Sequence, residues 1–569
     1  MMDAADLVIA YLEQIGVEYV FGVPGGGIEP LYNALARSAR RGGPRPVVAR
    51  HETGAAFMAA GYARETGRIG VCCATSGPGS TNLITGVACA YENEIPLLVI
   101  SGQPSLHLLG RGAMQESAGS GTGIDTVAMF RSCTRYSALV SHPDQLESQL
   151  VSALLSAHRP TPGPVHLSIP LDVQRSPMGY APAHDLARLL LPPSPVDDAA
   201  VQALRAQLER ARRVVILIGS GCSEAVDAIL DLAETIGAVF VVTPDAKGFV
   251  SPHHPLYRGV FGFAGHHSAV AVMNDNHVDL ILAAGSCMGE FNSNGWCQSL
   301  LNSRLVHIDS CEAHLSRSPM ARLHVRGRIR AVFERLLDLM CRDGVRALAA
   351  AAARKSAEVL VADSDQRVQD AALIKPHYLM RELGRRCPSD TRFLADTGSS
   401  IAWAIHHLDL HDYRPSPGGW LRVTMNFAPM GWAIGGAVGT ALANPDAPVV
   451  CITGDGSLLM NGQEMTVALT EKLTVVFVIL NDAALGMVKH GQRLAGAEQV
   501  GVELPPVDFR LLAESMGIPG HVIRTAGDLD GLDLDVILRN PGPTVLDVRI
   551  DPEEVPPMGL RLKILGTAK

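Results

Sequence analysis

Two acidic residues follow apolar runs that have the length of buried strands. Asp455 comes directly after residues 449–453, and Asp482 follows the run at 474–480. The carboxyl ends of parallel strands meet at one edge of an open α/β sheet, which is where such sheets bind ligands. The two carboxylates are therefore expected to lie close together and to offer hard oxygen ligands of the kind that Mg²⁺ prefers.

Small residues around Asp455 suggest what the metal would hold. Gly454 and Gly456 leave room for a phosphate to approach the backbone, and a helix predicted over residues 462–473 would favour an anion at its N-terminus. A Gly-Asp-Gly sequence alone most often forms only a tight turn. The Asn481-Asp482 pair beyond the next helix and strand strengthens the interpretation as a magnesium site that bridges two phosphates.

Alternating strand-like and helix-like stretches must position these residues. The pattern predicts an α/β fold of three doubly wound domains. A Pro-rich connector at residues 192–195 and an Ala- and Arg-rich helical linker separate the three domains. We expect domains at 1–180, 190–345 and 374–569, with the linker at 346–373. Strands are predicted at residues 19–23, 69–74, 96–101, 214–218, 279–284, 305–308, 393–395, 449–453 and 474–480.

Composition narrows the class of partner. The chain has 569 residues, enough for several cores, and a net charge of −9 without a basic stripe, which argues against nucleic acid and against an anionic membrane. Asp3 and Asp6 stand where a leader peptide would be basic, and no long apolar stretch occurs, so a cytoplasmic protein is expected. Adjacent Cys72 and Cys73 lie in an apolar run and are expected to be buried free thiols.

Several motifs together resemble a known family. The span from Gly454 to Asp482 resembles the thiamine-diphosphate motif, which opens with Gly-Asp-Gly and closes with Asn-Asn, and the whole chain resembles the acetolactate synthase branch of that family. Further matches occur in the family's order at residues 49–56, 75–82, 426–431 and 480–488. The resemblance implies two thiamine-diphosphate-binding folds flanking a Rossmann-like middle domain, with an N-terminal pyrimidine-binding domain and a C-terminal diphosphate-binding domain.

The resemblance also implies a ligand set. The metal would be held by Asp455, by Asp482 and by the main-chain carbonyl of Ala484. Asp482 stands where the family usually has Asn, and its extra charge should make cofactor affinity more dependent on the metal. The full cofactor-binding set would be Pro24, Glu52, Thr75, Pro78, Asn82, Ala428, Met430, Gly454, Asp455, Gly456, Ser457, Asp482, Leu485, Gly486, Met487 and Val488.

Two residues match those with which the family activates its cofactor. Glu52 matches the glutamate that hydrogen-bonds the aminopyrimidine ring; taken alone, such a Glu is more often a charge at a helix N-terminus. Met430 matches the apolar residue that forces the cofactor into its bent conformation, although a Met in an apolar stretch is ordinarily core filler. Main-chain groups of Ala428, where the family usually has Gly, and of Met430 would hydrogen-bond the pyrimidine.

Other positions concern the reaction chamber. Gly26 and Gln115 match chamber residues of the acetolactate synthase branch, with a tight turn and a surface amide as the alternatives. Met114 replaces the branch's Phe, and residues 117–123 form a longer Gly- and Ser-rich stretch that would reshape the wall. His490 either faces the substrate or is a solvated helix residue.

The N-terminal and middle domains depart from the biosynthetic acetolactate synthases. Residues 285–290 lack the arginine of their FAD-binding stretch, Thr161 replaces another arginine, and Leu171 replaces a lysine, so these departures count against FAD. The Gly219-Ser220-Gly221 turn lacks a third glycine and an acidic partner at the usual distance, which weakens a dinucleotide-binding interpretation.

The expected function is that of a thiamine-diphosphate- and Mg²⁺-dependent carboligase or decarboxylase acting on a 2-oxo acid such as pyruvate, in a homodimer or homotetramer whose subunits share the active site. A non-ligating 2-oxo acid decarboxylase and a 2-hydroxyacyl-CoA lyase are the alternatives within the family. The alternatives from other functional classes are a catalytically inactive cofactor-binding homologue and a nicotinamide-dependent dehydrogenase that uses the middle domain.

Overall fold

The computed structural model describes residues 2–121, 123–179, 181–190, 196–342, 372–411 and 416–559. The predicted Pro-rich connector and almost all of the predicted helical linker lie outside these residues. Within them, no helix is long and apolar enough to cross a membrane. Cys72 and Cys73 are buried free thiols, as expected from their apolar run.

The N-terminal part of the chain forms a parallel six-stranded sheet in the order β3-β2-β4-β5-β7-β6. A separate two-stranded antiparallel ribbon joins β1 to β8. The strands are β1 (Met2–Asp3), β2 (Tyr19–Gly22), β3 (Arg45–Val48), β4 (Gly70–Ala74), β5 (Leu97–Gln103), β6 (Tyr136–Leu139), β7 (Val165–Pro170) and β8 (Pro177–Met178). The helices are α1 (Ala4–Gln14), α2 (Glu29–Ala39), α3 (Glu52–Thr66), α4 (Pro78–Asn82), α5 (Ile84–Glu92), α6 (Thr126–Arg131), α7 (Pro143–Ala157), α8 (Leu171–Gln174) and α9 (Leu186–Leu189).

The middle sheet has the order β11-β10-β9-β12-β13-β14, all parallel, which is the Rossmann arrangement 3-2-1-4-5-6. Its strands are β9 (Val214–Ile218), β10 (Val239–Val242), β11 (Tyr257–Val260), β12 (Leu280–Ala284), β13 (Leu305–Asp309) and β14 (Leu323–Arg326). Its helices are α10 (Asp198–Arg210), α11 (Val226–Ile236), α12 (His267–Asn274), α13 (Glu312–Leu315) and α14 (Ile329–Arg342).

The C-terminal sheet, also parallel, has the order β16-β15-β17-β18-β20-β19. Its strands are β15 (Arg392–Ala395), β16 (Leu421–Arg422), β17 (Val449–Gly454), β18 (Val475–Asn481), β19 (Gly520–Ile523) and β20 (Thr544–Arg549). Its helices are α15 (Pro376–Arg386), α16 (Ser399–His407), α17 (Trp432–Ala443), α18 (Asp455–Asn461), α19 (Met465–Thr470), α20 (Gly486–Leu494), α21 (Phe509–Ser515), α22 (Ala526–Asp530) and α23 (Leu534–Arg539). Three doubly wound α/β sheets confirm the predicted fold class.

The prediction of one helix over residues 462–473 was wrong. A helix begins already at Asp455, where α18 starts, and a 3-10 turn at Gly462–Glu464 separates α18 from α19. The turn buries Glu464, whose carboxylate accepts hydrogen bonds from the backbone of another domain. A contact distant in sequence therefore breaks a segment whose local apolar spacing favours continuous helix.

Helices α3 and α17 pack with their backbones in contact and join the outer sheets. A Cβ on Gly61 would lie 2.2 Å from the carbonyl oxygen of Gly436, and one on Gly439 would lie 1.9 Å from that of Met58. Larger residues at Gly61 or Gly439 would force the helices apart. One hydrophobic cluster runs continuously through this contact and includes Ala55, Ala59, Ala433 and Ala437 among its small residues.

Candidate active site

The carboxyl ends of β17 and β18 bring Asp455 and Asp482 together. Asp455 is the first residue of α18 and only 4% exposed. Its Oδ1 accepts a hydrogen bond from the N–H of Gly456 at 2.7 Å, and its Oδ2 is buried without a protein partner. Asp482 is half-buried, and a Cβ on Gly486 would lie 2.6 Å from its Oδ2, so glycine lets the chain pass the carboxylate.

The charged form of both carboxyl groups is disfavoured in the absence of a cation. Burial raises the pKa of Asp455 to about 6, although neighbouring backbone N–H groups act in the opposite direction. Burial and then the charge of Asp455 raise the pKa of Asp482 to about 7. Two adjacent carboxylates, one buried with an unpartnered oxygen and one half-buried, suit a divalent cation that takes oxygen ligands.

Hydroxyl groups surround the same crevice. The side-chain oxygens of Thr397, Ser399 and Ser457 are buried without hydrogen-bond partners among the described residues. They line a cavity of about 220 Å³ together with Asp455 and Asp482. Buried donors that lack partners are costly in a native structure unless a ligand satisfies them. This donor set fits the phosphate groups of a bound cofactor.

Sequence reasoning missed Thr397 and Ser399, although a signal was present. Asp396-Thr397-Gly398-Ser399 lies at the end of β15 just as Gly454-Asp455-Gly456-Ser457 lies at the end of β17. The strands β15 and β17 are neighbours in the sheet. The next strand after β15 in the chain, β16, lies on one side of this pair, and the next strand after β17, β18, lies on the other. Gly398 has φ +113°, a conformation that favours glycine, at the start of α16. The crevice between β15 and β17 is thus the point at which the strand order reverses.

Asp396 ties the crevice wall together. It is completely buried, and its Oδ2 accepts hydrogen bonds from the N–H of Gly431 and the hydroxyl of Thr453, each at 2.9 Å. Burial raises its pKa to about 6. Asp396 therefore links the ends of β15 and β17 to the segment that carries Met430.

All twelve site residues that the sequence predicted in the C-terminal domain line the 220 Å³ cavity. They are Ala428, Met430, Gly454, Asp455, Gly456, Ser457, Asp482, Ala484, Leu485, Gly486, Met487 and Val488. Met430 lies beside the first turn of α18, because a Cβ on Gly456 would lie 3.3 Å from the terminal methyl of Met430. The carbonyl of Met430 accepts a long hydrogen bond, 3.4 Å, from the amide of Asn461. Phe263 and Phe291 of the middle domain complete the apolar side.

A second crevice lies at the carboxyl ends of β2 and β4 in the N-terminal domain. Glu52, the first residue of α3, is 8% exposed, and its Oε2 accepts a hydrogen bond from the amide of Asn82 at 2.9 Å. The hydroxyl of Thr75 accepts the N–H of Gly27 at 3.1 Å. A Cβ on Gly79 would lie 3.2 Å from the other carboxylate oxygen of Glu52, so this loop passes close to Glu52.

The remaining predicted residues surround Glu52's crevice. Pro24, Gly26 and Pro78 are exposed on the β2 and β4 loops. Gln115 is also exposed, with φ +60°, and lies against Gly77, whose added Cβ would be 3.0 Å from the Cβ of Gln115. Buried Ser117 anchors this segment, because its hydroxyl accepts the N–H of Gly77 and the amide of Gln103.

The structure does not bring the two groups of residues into one cavity. Within the described part of the chain, no N-terminal-domain residue lines the cavity that contains Asp455 and Asp482. Near Glu52, the two domains are joined by Glu464, which accepts the N–H groups of Arg50 and His51 at 3.1 and 2.8 Å. Burial raises the pKa of Glu464 to about 7. Glu464, also missed from the sequence, fixes the entry to α3 and so the position of Glu52.

The structure contradicts one of the two alternatives for His490. It is 1% exposed within α20, so it is not a solvated helix residue. It does not line the carboxylate cavity, and the alternative that it faces the substrate stays a prediction. Burial lowers its pKa. In the middle domain, Gly219 packs against Gly285, whose carbonyl oxygen would be 2.2 Å from an added Cβ, so this glycine serves close packing of loops.

Along the chain, two sheets of identical strand order precede and follow a Rossmann sheet, and one of them carries paired carboxylates at its crevice. This is the architecture of thiamine-diphosphate enzymes. Family models agree. Residues 2–124 match the N-terminal TPP binding domain of thiamine pyrophosphate (thiamine diphosphate) enzymes, residues 201–336 match the central domain, and residues 396–548 match the C-terminal TPP binding domain.

Curated relatives cover nearly the whole chain. The acetolactate synthase isozyme 1 large subunit of Escherichia coli (strain K12) is 30% identical over 574 residues, which cover 99% of this chain and 97% of that protein. The isozyme 2 large subunit of the same organism is 30% identical, covering 97% and 96%. The acetolactate synthase large subunit of Parasynechococcus marenigrum (strain WH8102) is 30% identical, covering 95% and 86%. The chain belongs to the thiamine-diphosphate-dependent enzymes, in their acetolactate synthase-like branch, which form or cleave carbon–carbon bonds.

Proposed function

We propose that the chain is a Mg²⁺-dependent carboligase or decarboxylase that acts on a 2-oxo acid such as pyruvate, in the manner of an acetolactate synthase. The observation that carries the metal part is the unpartnered Oδ2 of Asp455 beside Asp482. Asp455, Asp482 and the carbonyl of Ala484 would hold Mg²⁺, while the hydroxyls of Thr397, Ser399 and Ser457 would satisfy phosphate oxygens.

When bound, thiamine diphosphate supplies a nucleophilic ring carbon and an electron sink for decarboxylation. Glu52 would hydrogen-bond the aminopyrimidine ring and so hold a proton on it. Asn82 orients the Glu52 carboxylate through its amide. Met430 would press on the cofactor from the wall that Asp396 holds in place. Gly26 and Gln115 would line the chamber in which the acceptor is selected.

The shared site follows from the separation of the two crevices. Glu52 and the residues around it do not line the cavity of Asp455 within one chain, so we propose that a second copy supplies them. In a two-fold symmetric dimer, each site would combine Glu52 of one subunit with Asp455 of the other. The assembly is then a homodimer, or a homotetramer made of two such dimers.

Complementation tests this arrangement. Glu52→Gln and Asp455→Ala are each expected to remove activity. Chains carrying the two changes, co-expressed in equal amounts, would form mixed dimers in half of the population, with one intact site of two, so roughly a quarter of the wild-type activity should return. No recovery of activity in purified mixed dimers would contradict a shared site.

A binding assay and a substrate screen test the chemistry. Thiamine diphosphate with Mg²⁺ should raise the thermal unfolding midpoint, whereas NAD should not. Screening 2-oxo acids for carbon dioxide release, with products identified by mass spectrometry, separates the outcomes: a new carbon–carbon bond supports carboligation, and an aldehyde alone supports simple decarboxylation. Stabilisation by NAD alone, or the absence of carbon dioxide from every 2-oxo acid, would contradict the proposal.

A further inference from the structure

A compact cluster of side chains joins the N-terminal and middle domains away from the carboxylate crevice. Glu94 follows α5, while Cys311 and His314 lie at the turn after β13 and on α13. One ligand atom from each of these three side chains lies within 4.8 Å of the other two. Carboxylate, thiol and imidazole are together the ligand types that zinc takes in proteins.

The imidazole of His314 is held from both sides. Its Nδ1 lies 3.3 Å from Oδ2 of Asp309, and its Nε2 lies 3.4 Å from Oε1 of Glu94. The other oxygen of Asp309 accepts the N–H of Cys311 at 2.7 Å. A carboxylate on one ring nitrogen is the usual arrangement that orients a metal-binding histidine, so Asp309 fixes both the ring and the cysteine backbone.

The cluster concentrates negative charge around one position. Burial lowers the pKa of His314, but hydrogen bonds to Asp309 and Cys311 and the nearby carboxylate charges raise it to about 11. Burial raises the pKa of the Cys311 thiol, and contacts with His314 lower it by more, so that it falls below its usual range. The carboxylates of Glu94 and Asp309, one on each side of the imidazole ring, supply the negative charge that a divalent cation requires.

We propose that Glu94, Cys311 and His314 bind a zinc ion, with Asp309 as the outer partner that orients His314. A tetrahedral zinc ion with bonds of about 2.0–2.3 Å holds its ligand atoms roughly 3.3–3.8 Å apart. The Glu94–His314 distance already lies in this range. The one thiol and its two partners would lie about 3.5 Å apart around such an ion, so no pair in the cluster needs to contract by more than about 1.3 Å.

The fourth coordination position would face open space. Glu94, Asp309 and His314 line a cavity of about 1540 Å³ at the carboxyl ends of the middle sheet, between the domains. Water from this cavity can complete the coordination. Because Glu94 belongs to one domain and the other two ligands to the next, the ion would cross-link them.

Zinc content and cobalt spectroscopy test the site. The enzyme is kept saturated with Mg²⁺ and thiamine diphosphate, so that the oxygen site at Asp455 is filled, then equilibrated with Zn²⁺ and desalted. About one zinc per chain is expected for the wild type, against almost none for Cys311→Ser and His314→Gln. Substitution by Co²⁺ should give a thiolate-to-metal absorption band in the near ultraviolet that Cys311→Ser lacks.

Three further variants make the test specific. Cys341→Ser removes an exposed thiol outside the cluster, and Glu312→Gln removes the exposed carboxylate next to Cys311; both should retain the zinc and the cobalt band. Glu94→Gln, which keeps the thiol and the imidazole, should keep the band but weaken Co²⁺ binding by at least about tenfold. Wild-type zinc content no higher than that of Cys311→Ser, or a cobalt band that survives Cys311→Ser, would overturn the proposal.

Discussion

The two outer domains share one strand order, 2-1-3-4-6-5 when each is numbered along the chain, but they carry different chemistry at the same topological place. In the C-terminal crevice, Asp455 and Asp482 face a cavity with unpartnered hydroxyls. In the N-terminal crevice the loops are rich in glycine, and Glu52 is the buried carboxylate at the start of a helix. The same scaffold thus presents two carboxylates and unpartnered hydroxyls, for which we propose a cation and phosphate, at one crevice and a single buried carboxylate at the other.

The equivalent helices show why the two halves depend on each other. Helix α3 follows the second strand of its sheet and α17 the second strand of the other, and the two pack backbone to backbone through Gly61, Gly436 and Gly439. Glu52 begins α3, while Met430 and Gly431 precede α17. Glu52 and Met430, which are proposed to act on the cofactor, therefore lie at the N-terminal ends of two helices that pack against each other.

The largest difference between the crevices is expected at Glu52. Glu52→Gln should lower turnover by about 10²- to 10⁴-fold while leaving cofactor binding largely intact, because the amide keeps the shape but loses the charged acceptor. Steady-state rates and calorimetric binding measure the two effects. Glu29→Gln is the matched control, since Glu29 begins α2 in the same way but is exposed. Near-normal turnover of Glu52→Gln would remove Glu52 from its proposed role.

The second largest effect is expected at the contact between the outer domains. Glu65 on α3 is buried against Arg392 of β15 and Arg422 of β16. Glu65→Gln leaves two buried guanidinium groups without a counter-charge and should destabilise the fold by about 3–5 kcal/mol, measured by thermal unfolding. Glu18→Gln, which removes an exposed pair with Arg68, should cost less than about 1 kcal/mol.

The same pair predicts a pH dependence. Burial raises the pKa of Glu65, but the charge and hydrogen bond of Arg422 lower it by more, so it lies below the ordinary value. The unfolded group therefore binds protons at a higher pH than the folded one, and the stabilisation is full above the ordinary pKa of about 4.3 and is lost as the pH falls below it. The difference between wild type and Glu65→Gln should shrink in acid; a difference independent of pH would contradict this account.

Within the C-terminal crevice, the two aspartates should respond differently. Asp455→Ala removes an oxygen ligand and should weaken Mg²⁺ binding by at least about tenfold, or about 1.4 kcal/mol. Asp482→Asn keeps an oxygen and removes the like charge beside Asp455, so it should retain turnover and need less Mg²⁺. Calorimetric titration of each variant with Mg²⁺ at fixed thiamine diphosphate separates the two cases, and steady-state rates show whether Asp482→Asn retains turnover. Equal losses in both variants would show that charge, rather than the number of ligands, dominates the site.

The smallest effect is expected beside Met430. Ala428 adopts φ +47°, a left-handed conformation that strains a residue with a Cβ. Ala428→Gly should stabilise the chain by about 0.5–1 kcal/mol, after allowance for the greater freedom of glycine in the unfolded state. The same change at Ala437, inside α17, should instead destabilise by about 1 kcal/mol or more. Thermal unfolding of both variants gives the sign, and destabilisation by Ala428→Gly would contradict the strain.

The sequence by itself determined the three α/β units and the residues at the strand ends, including Asp455 and Asp482, because strand length and turn composition are local properties. It did not show the helix break at Gly462–Glu464, which depends on Glu464 reaching the backbone of Arg50 and His51. Nor did it bring Thr397 to Asp455, or Glu94 to His314, since these neighbours are distant along the chain. Only the tertiary structure determined these contacts and the separation of the two crevices, because packing between domains depends on residues that are far apart in the sequence.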